Sequence, residues 1–120
     1  MKSCGKKTWI IPDCDLPPAG EGRMKGHESV VVVNDTNKPA HIKVKLYFPD
    51  QPCYEGIEWV VEPQRVRCIR LDNPEDMCGY VMKKESQYAI KMKSSAKIVV
   101  QYGRLDNRQT NLAYYTTLAY

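Results

Sequence analysis

From Arg104 to Gln109, five of six side chains form hydrogen bonds: Arg104, Asp106, Asn107, Arg108 and Gln109. Two are planar guanidinium forks, one is a carboxylate and two are amides. Such a set recognises hydroxyls, carboxylates or amides through paired hydrogen bonds, and it contains no nucleophile. A plainer reading competes with ligand recognition: Arg104 and Asp106 tie down a turn. The second polar group is His27-Glu28. Its residue types suit acid–base work, but neighbours on a strand point to opposite faces. His41, the other histidine, opens an alternating strand on its polar side and reads as a surface residue. No G-x-S-x-G or similar nucleophile turn occurs, so the residues do not describe an enzyme. The five cysteines, Cys4, Cys14, Cys53, Cys68 and Cys78, are never closer than ten positions and form no C-x-x-C. Neither a metal site nor a cofactor is expected.

The elements that would carry these groups are strands. Ile98 to Val100 and Val30 to Val33 are unbroken β-branched runs, which suit central strands covered on both faces. Gly103 follows the first run and Gly26 precedes the second, so a rigid strand is expected to deliver each polar cluster at its end. His41 to Phe48 alternates, with Ile42, Val44, Leu46 and Phe48 on one side, as a half-buried antiparallel strand does. Further strands are expected at Thr8–Ile11, Gly56–Glu62, Arg65–Leu71 and Glu85–Met92. After a break at Ser94-Ser95 another runs to Tyr102, and Leu112–Tyr120 closes the chain. Between the first two lies a long irregular segment rich in proline and glycine. Short strands with turn signals between them and no amphipathic helix predict an all-β, antiparallel β-sandwich or jelly roll, one domain over residues 1–120.

Composition narrows the function classes. The chain has 120 residues, 18 basic and 14 acidic side chains and a net charge of +4. The charges are interleaved, whereas a nucleic-acid surface concentrates them beside stacking aromatics. Nucleic acid is therefore not the expected partner, beyond weak non-specific DNA affinity. No apolar run approaches the roughly 20 residues of a membrane span. The N-terminus carries charge without an apolar core behind it, and an odd number of dispersed cysteines suits a reducing compartment. The expected location is the cytoplasm. Sugar-like ligands need bidentate polar partners and an aromatic face, which Trp9, Tyr102 or Trp59 would supply, although core packing competes for Trp59 above all.

Four stretches together resemble the sensory rhodopsin transducer family. They are Trp9 to Gly20; His27-Glu28 with the valine strand, Asn34, Ala40-His41 and Tyr47; Val61 through Asp72; and Ile98 to Gln101 with Arg104-Leu-Asp106, Gln109 and Thr116 to Tyr120. The chain departs from the family pattern at Cys14, Cys68 and Gly103. Cys68 stands where histidine is common, which implies a changed ligand set. The resemblance implies a β-sandwich subunit in a homo-oligomer, a cyclic tetramer, and a small-molecule-binding role in signalling. It also implies a second reading, a protein-interaction module serving a membrane receptor. The candidate ligand-binding residues are Trp9, His27, Glu28, Arg104, Asp106, Asn107, Arg108 and Gln109. Arg104, Asp106 and Gln109 are expected to meet His27 and Glu28 in one polar pocket, with Asp106 orienting Arg104. Tyr114, Tyr115 and Tyr120 are candidates for the subunit or partner interface.

Overall fold

The computed structural model describes residues 4–20, 25–108 and 113–120. It contains seven strands and, among the described residues, no helix: β1 (Lys6–Asp15), β2 (His27–Asn34), β3 (Ala40–Tyr47), β4 (Tyr54–Val61), β5 (Arg65–Arg70), β6 (Gln87–Asp106) and β7 (Ala113–Leu118). Every pairing is antiparallel. Among the described residues, no helix is long and apolar enough to cross a membrane.

β6 is the spine. Its first half pairs with β3 on one flank and β1 on the other, and β4 extends the β3 side. Its second half pairs with β2 and β7, and β5 extends the β2 side. Two four-stranded wings, β4-β3-β6-β1 and β5-β2-β6-β7, thus share one strand. The chain's end seals the seam, because Tyr120 and Ile10 exchange both backbone hydrogen bonds at 2.5 and 2.9 Å.

Alternation explains the core. Even-numbered residues of β6 from Tyr88 to Tyr102 face inward, joined by Val30 and Val32, Ile42 to Leu46, and Ile57 to Val61. The wings curl around these side chains as a half-barrel, and the all-β antiparallel architecture is the one expected. Asn34 closes the far end: its buried amide donates to the carbonyls of Lys38 and Val61 at 2.7 and 3.0 Å.

Three expectations change. The valine run is covered on one face only; Val30 and Val32 are buried, but Val33 is 41% exposed, because nothing in the described chain packs over the outside of that wing. Ser94-Ser95 does not interrupt β6; Ser94 turns inward at 5% exposure and pairs with Ile42, so the ladder carries through. β1 continues past Pro12, which lacks the N–H that a ladder needs, by shifting register between Ile11 and Cys14.

Candidate functional site

Glu28 shares the inward phase of Val30 and Val32, so the strand's period of two carries a carboxylate into the core. It is completely buried. A buried charge is tolerated only when hydrogen-bonded, and Glu28 accepts three bonds. Tyr88 Oη donates to Oε1 at 2.5 Å, and the Asp15 backbone N–H donates to Oε2 at 2.9 Å. Tyr102 Oη also donates to Oε2. Tyr88 and Tyr102 sit fourteen residues apart on β6. On a straight strand they would stand roughly 45 Å apart. Both hydroxyls reach one carboxylate because β6 curls from one wing into the other.

This environment reshapes the titration of the cluster. Burial pushes the Glu28 carboxyl up from 4.5 to about 7, against the Tyr88 hydrogen bond, the Asp15 N–H and the Arg104 charge. Burial, then the Glu28 charge, holds the Tyr88 hydroxyl well above its ordinary value. Burial likewise pushes the Cys14 thiol up, followed by Glu28 and Asp13, so this cysteine stays protonated and unreactive.

Arg104 is the direct cross-strand partner of Glu28 and therefore shares its face. Its Nη1 donates to the Asp15 carbonyl at 3.3 Å, and its guanidinium lies over the Tyr115 ring, 5.5 Å from the centroid. Tyr115 in turn meets Tyr102 edge-on at 6.4 Å. Since Glu28 and Arg104 both bond the backbone of Asp15, their polar atoms lie within roughly 10 Å of each other. Of five guanidinium N–H groups, Arg104 spends one on a partner among the described residues. Beside it, Asp15 Oδ1 is a buried atom with no hydrogen-bond partner among those residues. A half-buried donor fork and a buried carboxylate oxygen thus belong to one corner, where β1, β2 and β6 meet. Such a pair suits a ligand bearing adjacent hydroxyls, which both donate and accept. Tyr88 also lines a cleft of about 200 Å³ with Phe48, Asp50, Gln51, Tyr80 and Lys83.

The remaining candidates take other places. His27 points to the opposite face from Glu28, and its Nδ1 lies 2.8 Å from the Lys25 carbonyl oxygen. Asp106 is held by Arg108, through the backbone N–H at 2.9 Å and through Nε and Nη2. The same bonds keep the Asp106 carboxyl below its ordinary range. The hydrogen bond of Arg104 therefore goes to Asp15, while the chain turns after Asp106 and brings Arg108 back onto that carboxylate. Asn107 is buried against Gly20 and Gly26: a Cβ at Gly20, which has φ +71°, would sit 1.9 Å from its Oδ1. Trp9 belongs to the core of the first wing, donates to the Lys6 carbonyl at 2.9 Å, and lies six residues from Asp15, roughly 20 Å along the strand. Gln109 lies outside the described residues.

The sequence reading missed Asp15 and Tyr88. One signal was available: Glu28 is an acid in the phase of the buried valines, which demands polar company in the core. Among the described residues no group of His, Cys, Asp and Glu could hold a metal ion.

The same architecture is found in known proteins. A crystal structure from Thermotoga maritima, designated 1070, superimposes with a TM-score of 0.86 at 27% identity, covering 97% of this chain and 94% of that one. The Anabaena sensory rhodopsin transducer superimposes with a TM-score of 0.71 at 24% identity, covering 85% of this chain and 84% of that one, a likeness of fold. No curated protein matches the chain. The family model described as Anabaena sensory rhodopsin transducer matches residues 4–120, nearly the whole sequence, and the chain belongs to that family.

Proposed function

We propose that this chain is a non-enzymatic cytoplasmic signalling domain that binds a small, hydroxyl-rich, sugar-like molecule at the corner made by Arg104, Asp15 and the buried Glu28. The observation that carries the reading is the guanidinium of Arg104: it is fixed by Asp15 and Tyr115, and among the described residues four of its five donors have no protein partner. Family membership supports the signalling role. Binding would be felt at the seam between the wings, since Asp15, Glu28 and Arg104 belong to three different strands.

A second reading has its own observation. β7 is an edge strand whose two faces are both largely exposed, with Tyr114 at 71% and Leu118 at 65%. Exposed tyrosines on an open edge suit a protein partner. In this reading the domain assembles as a closed homo-oligomer, a tetramer, and passes a signal from a rhodopsin-type membrane receptor.

A thermal-shift screen over sugars, nucleotides and amino acids tests the first reading. A ligand at 100 times its dissociation constant adds about 2.7 kcal/mol of stability. Arg104→Lys is expected to lose that stabilisation while keeping its charge, because an ammonium cannot reproduce the planar fork. A ligand that stabilises parent and Arg104→Lys equally sinks the binding site. Recovery of a retinal receptor on the immobilised chain, lost when Tyr114 is changed to Ala, supports the second reading.

A further inference from the structure

The outer face of the first wing sets lysines side by side on neighbouring strands. The β3–β6 register sets Lys43 opposite Lys93 and Lys45 opposite Lys91. Directly opposed residues stand with Cβ atoms about 5 Å apart, and like charges there are destabilising. The four lysines therefore root a rectangle of roughly 5 by 7 Å. β4 sets Glu58 beside Lys43 and Glu55 beside Lys45, yet none of the four lysines makes an ion pair among the described residues. Lys45 and Lys91 are half-buried, so part of their repulsion is unrelieved by water.

These side chains line a cleft of about 460 Å³, within the range of small-ligand sites. A second cleft of about 360 Å³ shares Lys43, Glu58 and Lys93 and continues the groove towards His41 and Ser95. The wall is shaped by a bulge. Val44 pairs with Ile57 and Lys45 with Glu55, so Gly56 is an extra residue in β4, at φ +136°. Bulges re-aim side chains and recur beside binding sites, and a glycine here keeps the wall free of a side chain.

We propose that this groove is a second ligand site, for a phosphorylated small molecule whose phosphates sit among Lys43, Lys45, Lys91 and Lys93 and whose hydroxyls meet Glu55 and Glu58. An anion turns two repulsive cross-strand pairs into four attractive contacts. A nucleic acid fits less well: the two glutamates flank the lysines and repel a continuing phosphate backbone, and no Phe, Tyr or Trp side chain lines either cleft for stacking. The groove lies on the opposite face from Arg104 and in the other wing, so it does not rest on the sugar-binding reading.

The probe is inorganic pyrophosphate, titrated calorimetrically into the full chain at low salt, with a short DNA duplex as comparator. Saturable binding is expected, weakened about tenfold in Lys43→Gln/Lys93→Gln and again in Lys45→Gln/Lys91→Gln. Each double variant should melt no lower than the parent, since each removes a like-charge pair; a merely structural role would lower the melting temperature. Arg104→Lys should bind pyrophosphate like the parent. The proposal is overturned if both double variants retain parental affinity. It is equally overturned if Arg104→Lys abolishes binding, or if the duplex binds these lysines more tightly than pyrophosphate.

Discussion

The two wings have matching insides and opposite outsides. Along β6 the inward residues run apolar from one wing into the other, as Tyr88, Ile90 and Met92 give way to Ile98, Val100 and Tyr102. The outward residues change character at the seam: Lys91, Lys93 and Lys97 are followed by Val99, Gln101 and Gly103. Across the strands the contrast continues. The first wing shows water mainly lysines and glutamates, with Ile10 and Val60 among them. The second shows a row of Val66, Val33 and Val99, and below it Cys68 and Val31, with Gln101 between Val31 and Leu118. Scattered apolar residues on a surface mean little, but a row continuing over three strands marks a contact face. The inner alternation makes the fold, and the outer composition divides the labour between the wings.

The largest effect should come where both wings are joined. Glu28→Ala leaves two tyrosine hydroxyls and the Asp15 N–H without their acceptor in the core. Removing one partner of a buried network costs roughly 3–5 kcal/mol. Urea denaturation is expected to show that loss, with both wings unfolding together. A loss below about 1 kcal/mol would mean that the junction does not hold the wings.

Next comes the apolar outside. Val33→Asp places a charge in the middle of the valine row, whereas the same change at exposed Lys43 touches only the charged wing. If subunits assemble through the second wing, burying an unpaired carboxylate weakens assembly by roughly 2–5 kcal/mol. Sedimentation should then show Val33→Asp dissociating while Lys43→Asp stays assembled. A parent that already sediments as a 13.8 kDa monomer at micromolar concentration removes this contrast.

The inside predicts a pH dependence, and its sign follows from Glu28. The carboxyl ionises near 4.5 when the chain is unfolded and near 7 in the folded core. The folded state therefore holds the proton more tightly. Its contribution to stability is fully present below pH 4.5 and is lost as pH rises through 7. At 1.36 kcal/mol per unit the loss approaches about 3 kcal/mol. Denaturation midpoints at pH 5 and pH 8 should differ in that direction, and Glu28→Gln should flatten the slope. A parent that gains stability over this interval, with Glu28→Gln behaving the same, would show the cluster to be ionised throughout.

Much of this division was visible in the residues, and the missing parts share a cause. His41 to Phe48 declares its strand and its buried side by alternation alone. The valine run declared a strand but not its neighbours, so coverage of both faces was expected where only Val30 and Val32 are covered. Ser94-Ser95 looks like a turn locally, yet β3 and β1 hold β6 through that region by pairings from distant sequence. At the site, the proximity of Glu28 and Arg104 was expected because both border apolar strands. The link through Asp15, with Tyr88 and Tyr102, depends on the curl of β6, and curl is a property of the assembled sheet with no signature in any short window.

The smallest effect tests the charged outside on its own terms. Lys93→Glu replaces a repulsive neighbour of Lys43 by an attractive one, on a face where both side chains are exposed. Exposed cross-strand pairs are worth about 0.2–1 kcal/mol, so the variant should be more stable than the parent by a few tenths to one. The gain should be visible at low salt and shrink at about 1 M, where the screening length falls to roughly 3 Å. The inside of the same strand behaves differently: Met92, the preceding residue, is fully buried, and a glutamate there would cost several kcal/mol at any salt concentration. A loss of stability in Lys93→Glu that persists at high salt would mean that the lysine packs as part of the fold. A salt-sensitive gain means that the chain keeps a destabilising charge pair on this face, which is what an anion site requires before its ligand arrives.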